Sequence, residues 1–190
     1  MILARQMLKA RFAAWWCRNR ALRAARRGAG TRREDSQMDV EAFLRKQQIP
    51  YEAIDHRPTD SAAETSTASG VAPARMAKVV LLKADHGFEY VIAVVPADRD
   101  LDLQKASHAL GDSELAFADE QEVAQRCPDC EDHILLPFGA AYHLKCLVDE
   151  HLAQQDEIVF RCNTRDRSIR VRFDDFHNIE KPSVVPLSKD

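Results

Sequence analysis

Residues 76–83 have the sequence MAKVVLLK, and this stretch decides how the rest of the chain is interpreted. Apart from its two lysines it is apolar, which predicts a buried strand. Lys78 is a lone charge near the start of that strand, and a buried charge needs a partner. If the partner is a ligand, Lys78 marks a binding or catalytic site. The alternative is a strand-end lysine whose stem lets the ammonium group reach water.

A second apolar run follows directly and completes a hairpin. Residues 88–95 are again strongly apolar, and the short connection at 85–87 contains a glycine, as hairpin turns do. Further helices are predicted over 40–47, from residue 60 to a stop at Gly70, over 103–110 and over 120–126; strands are predicted over 51–55, 115–118, 145–148, 157–161 and 168–173. Because the long crossovers of a parallel βαβ fold are missing, this order predicts an α+β domain with a mixed sheet flanked by short helices.

The charge of the chain is unevenly distributed. The 190 residues carry a net charge of −3, yet residues 1–37 hold ten Lys/Arg and two acidic residues, which leaves 17 against 28 from residue 38 onward. We therefore predict a basic extension over 1–37, disordered or a lone helix, followed by an acidic domain over 38–190. Four interpretations of the extension stay open: a surface-seeking amphipathic helix, a nucleic-acid arm, an organelle transit peptide, or a segment without a folded role.

Composition also limits the location and the partners. No apolar run reaches the 18 residues of a membrane span, so no membrane partner is expected. Five cysteines, an odd number, without a secretory signal favour free thiols in a reducing, cytoplasmic location. Since the body is acidic, a nucleic-acid partner needs a local basic patch. Arg170 and Arg172, on one face of a predicted strand, are a candidate; the alternative is a solvated face paired with Asp174 and Asp175.

Five short motifs between residues 51 and 182 occur in an order and spacing that point to a family. They are YEAIDH at 51–56 with AAE at 62–64, MAKVVLLK at 76–83, VIAVVPAD at 91–98, LPFG at 136–139 and LVDE at 147–150. Together they make the chain resemble the YbaK/prolyl-tRNA-synthetase-associated family, the aminoacyl-tRNA deacylases that edit mischarged tRNA. The resemblance implies a barrel-like, mostly antiparallel sheet, mischarged tRNA as the substrate, and an aminoacyl-tRNA synthetase as a candidate partner.

The resemblance also assigns roles to residues. Lys78 takes the place of the family lysine that contacts the substrate, and Pro137, Phe138 and Gly139 end the loop that surrounds the aminoacyl group. His56 closes the first strand where the resemblance places the wall of the pocket. A fixed ammonium group and backbone N–H donors stabilise the charge that develops on the carbonyl oxygen during ester hydrolysis. The sequence shows no Ser-His-Asp arrangement, so water, oriented by the terminal ribose, is the expected nucleophile.

Three further candidate substrate-binding residues are departures from the family pattern. His133 stands four positions before the loop proline, where the family has glycine, and an imidazole does not permit the same close approach of a backbone. Asn163 and Arg165 lie where many relatives have an Asn-Ala-Gly-Ser-His type of turn. Asn163 can adopt a left-handed conformation, whereas Arg165 replaces a histidine. Two alternatives follow: a deacylase with altered substrate choice, or a catalytically silent tRNA-binding relative.

The pair Cys127 and Cys130, followed by His133, has the spacing of zinc ligands, and Cys146, His143 or Cys162 could complete such a site. A structural zinc site usually brings a second paired motif, and these two cysteines stand alone in predicted strands. The pair is therefore interpreted as ordinary reduced thiols, and a zinc-stabilised interaction module is the less favoured alternative. No metal and no cofactor is predicted.

Overall fold

The computed structural model describes residues 39–85, 89–126, 134–162 and 164–189. Its helices are α1 Val40–Lys46, α2 Ala62–Ser69, α3 Leu103–Ala109, α4 Glu120–Arg126, α5 Gly139–Tyr142, α6 Glu150–Ala153 and α7 Phe173–Glu180, with a 3-10 turn over Pro73–Arg75. Its strands are β1 Tyr51–Asp55, β2 Ala77–Ala84, β3 Glu89–Pro96, β4 Leu115–Phe117, β5 Lys145–Asp149, β6 Glu157–Arg161, β7 Arg167–Arg172 and β8 Ser183–Val185. Every predicted helix and strand is confirmed, with ends that differ by one or two residues.

The strands form two sheets. The larger has the order β4-β2-β3-β5-β8, and the smaller has the order β1-β7-β6. Pairing is antiparallel except between β3 and β5 and between β5 and β8. An isolated parallel bridge between Met76 and Val159 joins the two sheets. The mixed, mostly antiparallel α+β class is confirmed, whereas the barrel-like shape is not, because the described strands form two sheets and not one closed sheet.

The two sheets pack against each other across one large apolar cluster. We call the side that carries this cluster the inner face; it includes Ala77 and Leu81 of β2 together with Phe160 and Ile169 of the smaller sheet. Burying these side chains is the main source of stability for a domain of this size.

The opposite, outer face carries two smaller apolar clusters. One packs α3 and the chain end on the larger sheet and contains Leu82, Val91, Ala93, Val95, Leu101, Ala106, Leu147 and Leu187. The other lies under α2 and contains Ala62, Val71, Met76 and Val159. Because alternate strand residues point to opposite faces, Lys78 lies on the outer face between the two clusters. Its neighbours on that face are Met76, of the cluster under α2, and Val80, which packs against the other cluster.

Helix α2, which covers part of the outer face, has well-defined ends. The Ser61 hydroxyl accepts the N–H of Glu64 at 3.2 Å, and the Glu64 carboxylate accepts the N–H of Asp60 at 3.0 Å. This reciprocal capping satisfies donors that a helix start would otherwise leave unpaired. Gly70, at φ 68°, ends the helix in the left-handed conformation that glycine adopts at little cost.

Five elements were not predicted: the helices α5, α6 and α7, the 3-10 turn over Pro73–Arg75, and the strand β8. The strand expected to run to Phe173 ends at Arg172, and Phe173 begins α7. None of the helices in the described ranges is long and apolar enough to cross a membrane. Residues 1–37 lie outside the described residues, so the division of the chain at residue 38 stays a prediction.

Candidate functional site

Lys78 occupies the second position of β2, and its ammonium group is held by a turn. Nζ donates a hydrogen bond to the carbonyl oxygen of Arg99 at 2.5 Å, and a carboxylate oxygen of Asp100 lies 3.7 Å away. The lysine side chain is 32% exposed and that of Asp100 is 80% exposed, so solvent screens this ion pair. An ammonium group has three donors. The Arg99 carbonyl takes one of them, which leaves capacity for water or a ligand.

The turn that holds the lysine is built at the end of β3. This strand ends at Pro96, and the N–H of Ala97 donates to the carbonyl oxygens of Met76 at 2.8 Å and Pro73 at 3.1 Å. The N–H of Arg99 then donates to the carbonyl oxygen of Pro96 at 3.2 Å. The backbone therefore folds back over the start of β2 and presents a carbonyl oxygen to the ammonium group.

Strand register places polar residues of the smaller sheet beside Lys78. Met76 pairs with Val159, so two residues further along each strand Lys78 and Arg161 point to the same face. Arg161 is in turn the register partner of Ser168 in β7. The outer face thus carries a transverse row of Lys78, Arg161 and Ser168 across the junction between the sheets.

His56 extends this transverse row beyond the end of β1. Its Nε2 lies 2.9 Å from the Ser168 hydroxyl, and its Nδ1 lies 2.9 Å from the carbonyl oxygen of Arg57. A carbonyl oxygen can only accept, so Nδ1 carries a proton and Nε2 of the neutral ring accepts from the hydroxyl. The structure therefore places His56 on the same face as Lys78, as an oriented ring with both nitrogens engaged.

Arg165 belongs to the turn between β6 and β7, which packs on the connection between β1 and α2. Its carbonyl oxygen accepts the N–H of Thr59 at 3.0 Å, and its guanidinium group forms an ion pair with Asp60. Inside this contact the hydroxyls of Thr59 and Thr65 are 2.7 Å apart. Arg165 therefore fixes the edge of the site next to the start of α2.

Phe138 lies on the inner face, on the opposite side of the sheets from Lys78. Its side chain is 1% exposed. Its ring makes edge-to-face contacts with three other rings, at centroid distances of 5.6 Å to Phe43, 5.5 Å to Phe160 and 5.5 Å to Phe176. An aromatic residue surrounded in this way contributes mainly to the core. The structure thus does not bring Phe138 together with the transverse row.

The neighbours of Phe138, Pro137 and Gly139, are also fixed against the inner face. The carbonyl oxygen of Pro137 lies 3.5 Å from the buried Cys146 thiol. A Cβ added at Gly139 would lie 2.5 Å from the carbonyl oxygen of Leu144, a contact that real Cβ atoms essentially never make. The position therefore requires glycine because the backbones approach so closely.

Sequence reasoning missed Glu180, the last residue of α7. Its carboxylate accepts the N–H of Gly139 at 3.0 Å and that of Ala140 at 3.5 Å. Burial raises the pKa of Glu180 to about 7, while the two backbone hydrogen bonds oppose the shift. The N–H groups of Gly139 and Ala140 lie at the end of the loop that the resemblance places around the aminoacyl group. They thus donate to a carboxylate of the protein itself. No local sequence pattern predicts this contact, because Gly139 and Glu180 are 41 positions apart.

Two predicted substrate-binding residues, His133 and Asn163, lie outside the described residues, as do Cys127 and Cys130. Their roles stay predictions. In the ranges that the structure describes, no group of three or more His, Cys, Asp or Glu residues could hold a metal ion. Cys146 is buried, which raises the pKa of its thiol far above the usual range and makes it an unreactive core residue.

Known proteins resemble this chain in sequence and in fold. The multifunctional Ser/Thr-tRNA deacylase ProXp-y of Escherichia coli (strain K12) and that of Escherichia coli O157:H7 are each 24% identical over 147 residues, which cover 76% of this chain and 87% of the relative. The crystal structure of hypothetical protein APE2540 superposes with a TM-score of 0.71 at 16% identity, over 80% of this chain and 99% of that one.

A second solved structure is that of a protein proposed to be a trans-editing enzyme for prolyl tRNA synthetase. Its TM-score is 0.67 at 19% identity, and the match covers 84% of this chain and all of the other. At such identities the solved structures establish the fold. The family follows from the sequence: residues 56–179, a range that contains Lys78 and strands β2 to β7, match the aminoacyl-tRNA editing domain. The chain belongs to the aminoacyl-tRNA editing domain family.

Proposed function

We propose that this protein hydrolyses the ester bond between a wrongly attached amino acid and its tRNA, and that Lys78 stabilises the transition state. The family match over residues 56–179 carries the assignment of the activity. Support for Lys78 comes from its position: its stem lies in an apolar strand and its partly exposed ammonium group is fixed by the carbonyl of Arg99. A charge fixed in advance needs little reorganisation when negative charge develops beside it.

In the proposed reaction, water attacks the ester carbonyl carbon, and the carbonyl oxygen gains negative charge. The Lys78 ammonium group donates a hydrogen bond to that oxygen. The tetrahedral intermediate then collapses and the bond from carbon to the ribose oxygen breaks. The ribose oxygen gains one proton for the one that water loses, so the products are the free amino acid and uncharged tRNA. Positioning and electrostatics supply the rate enhancement.

For the substrate class we propose small hydroxylated amino acids. The name of the Escherichia coli relative, a Ser/Thr-tRNA deacylase, supports this choice. We also propose a synthetase as the partner that delivers mischarged tRNA, as the trans-editing description of one structural neighbour suggests.

Deacylation of a panel of mischarged tRNAs tests the proposal. We expect the protein to release serine and threonine from mischarged tRNAs faster than it releases larger apolar amino acids. The panel should include correctly charged tRNAs as a reference for selectivity. A folded protein that binds these tRNAs without hydrolysing any of them would be the catalytically silent relative, and the proposed activity would then be wrong.

A further inference from the structure

Three arginines of β7 form a first group, and each of them forms an ion pair with a carboxylate. The ion pairs join Arg167 to Asp55 at 2.8 Å, Arg170 to Glu52 at 2.6 Å and Arg172 to Asp174 at 3.7 Å. A guanidinium group already matched by a carboxylate offers little net attraction to a phosphate. Arg172 pairs with Asp174, as the alternative to a phosphate patch predicts, whereas Arg170 pairs with Glu52 and not with Asp174 or Asp175.

The second group consists of Arg57, Arg75 and Arg99. Within the described part of the chain, none of these three guanidinium groups forms an ion pair or a side-chain hydrogen bond. Arg57 and Arg75 are exposed and Arg99 is half-exposed. An acidic domain that keeps three arginines unmatched in one region leaves a local basic patch, which is what recognition of a polyanion requires.

These three arginines surround the transverse row. Arg57 follows His56 at one end of the row, Arg75 lies two residues before β2, and Arg99 belongs to the turn that holds Lys78. Each arginine is one to three positions from a residue at the apolar cluster under α2: Met76 belongs to the cluster, and Ile54 and Ala97 pack against it. The shared cluster fixes the three backbone segments relative to one another and to Lys78.

We infer that Arg57, Arg75 and Arg99 form the surface that binds the phosphate backbone of the acceptor end of tRNA. This inference rests on the proposed function, because it takes the ester bond to be placed at Lys78. Guanidinium groups pair with phosphate oxygens through two parallel hydrogen bonds. From residue 38 onward the chain carries 17 basic against 28 acidic residues, so bulk charge repels tRNA and unmatched local cations must supply the attraction.

Two acidic residues lie beside these arginines and weaken their attraction for phosphate. Replacing one of them should therefore strengthen tRNA binding, the opposite of the effect expected for the arginine variants. Asp98 and Asp100 flank Arg99 in the same turn and both are exposed. Asp100 faces the Lys78 ammonium group at 3.7 Å, whereas no ion pair joins Asp98 to another residue in the described ranges. Replacing Asp98 by Asn removes a negative charge that repels phosphate, so it should strengthen tRNA binding.

The experiment measures binding of uncharged tRNA to the full chain as a function of salt concentration. In the variant Arg57→Ala/Arg75→Ala, two lost phosphate contacts should weaken binding roughly 10-fold or more at 0.1 M salt and reduce the slope of log K against log salt by about 1.5 to 2. Adding Arg99→Ala should reduce the slope of log K against log salt by about one further unit. Asp98→Asn should tighten binding. Residues 1–37 are unchanged in every variant, so their contribution cancels in each comparison.

The matched control is Arg170→Ala/Arg172→Ala, which removes the same charge from ion-paired arginines and should leave the slope close to that of the wild type. Hydrolysis of a short 3′-aminoacyl-adenosine ester, which lacks the acceptor stem, should be unchanged in Arg57→Ala/Arg75→Ala. Wild-type affinity and slope in that variant, or an equal loss in the control, would overturn the inference. A wild type that binds tRNA through these arginines but hydrolyses no ester would instead refute only the proposed function.

Discussion

The inner and outer faces of the same two sheets use the family motifs differently. On the inner face, Phe138 and Gly139 are packed so tightly that their surroundings leave no room for a substrate. On the outer face, Lys78 and His56 are half-exposed polar groups held in fixed orientations by hydrogen bonds. Motif matching treats the four positions alike. The comparison teaches that the face on which a motif residue lies, and not the motif alone, indicates whether it contributes to stability or to chemistry.

The largest effect is expected on the inner face. Phe138→Ala removes a ring buried among three others, and such a truncation costs about 3 to 5 kcal/mol in the free energy of unfolding. Urea unfolding of the full chain measures this loss. The deacylation rate per folded molecule should stay within a few-fold of the wild type. Normal stability with lost deacylation would show that Phe138 lines the site and that the distinction between the faces is wrong.

The next largest effect is expected at Lys78, on the outer face. Lys78→Ala should lower the single-turnover deacylation rate by roughly 10²- to 10³-fold, the usual cost of losing one donor to a developing oxyanion. The unfolding curve should change little, because the lysine side chain is partly exposed and fills no core space. Single-turnover hydrolysis and urea unfolding of the same preparation provide both numbers.

The matched control for Lys78 lies on the same strand. Lys83 is five residues further along β2, so it lies on the inner side, where it pairs with Glu122 at 3.1 Å. Lys83→Ala should leave the deacylation rate unchanged. An equal loss of rate in both variants would mean that the sheet and not the Lys78 ammonium group was damaged.

Local patterns predicted the strands well because the alternation of apolar residues carries information about burial over a few positions. The same patterns placed Lys78 near the start of a strand, but its partner is a backbone carbonyl of Arg99, which no side-chain pattern encodes. The assignment of Phe138 to the core depends on rings from α1, β6 and α7, which come together only in the tertiary fold. Helix α7 was missed although Asp174 and Asp175 in its first turn are a typical start signal.

A smaller effect is expected at Gly139. A methyl group there would meet the carbonyl oxygen of Leu144, so Gly139→Ala forces a backbone shift that should cost about 1 to 3 kcal/mol of unfolding free energy. Gly111→Ala is the control, since it also introduces a methyl group but no atom lies within 4 Å of its position. Its cost, from the positive φ alone, should be about 1 kcal/mol. Equal losses in the two variants would contradict the close approach at Gly139.

The smallest effect is expected in the pH dependence of the free energy of unfolding, to which Glu180 contributes. Burial raises the pKa of this carboxyl group in the folded protein from 4.5 to about 7. Between these two pH values the folded state binds more protons at Glu180 than the unfolded state does, so stability decreases as the pH rises through this window and is level above it. The full shift would correspond to about 3 kcal/mol. Because Glu180 is partly exposed, solvent screening reduces the expected change to roughly 1 kcal/mol.

Glu180→Gln isolates this contribution, because the amide keeps an oxygen that accepts the N–H of Gly139 but does not titrate. We expect urea unfolding to show a decrease of roughly 1 kcal/mol between pH 5 and pH 8 for the wild type relative to the variant. The buried Cys146 thiol stays neutral over this range, since burial raises its pKa as well, and it adds nothing to the difference. All other ionisable groups are common to the two proteins, so their contributions cancel in the difference. If the two pH profiles run parallel, the Glu180 carboxyl group is solvated in the folded protein. Its hydrogen bonds to Gly139 and Ala140 then contribute too little to change the stability of the domain with pH.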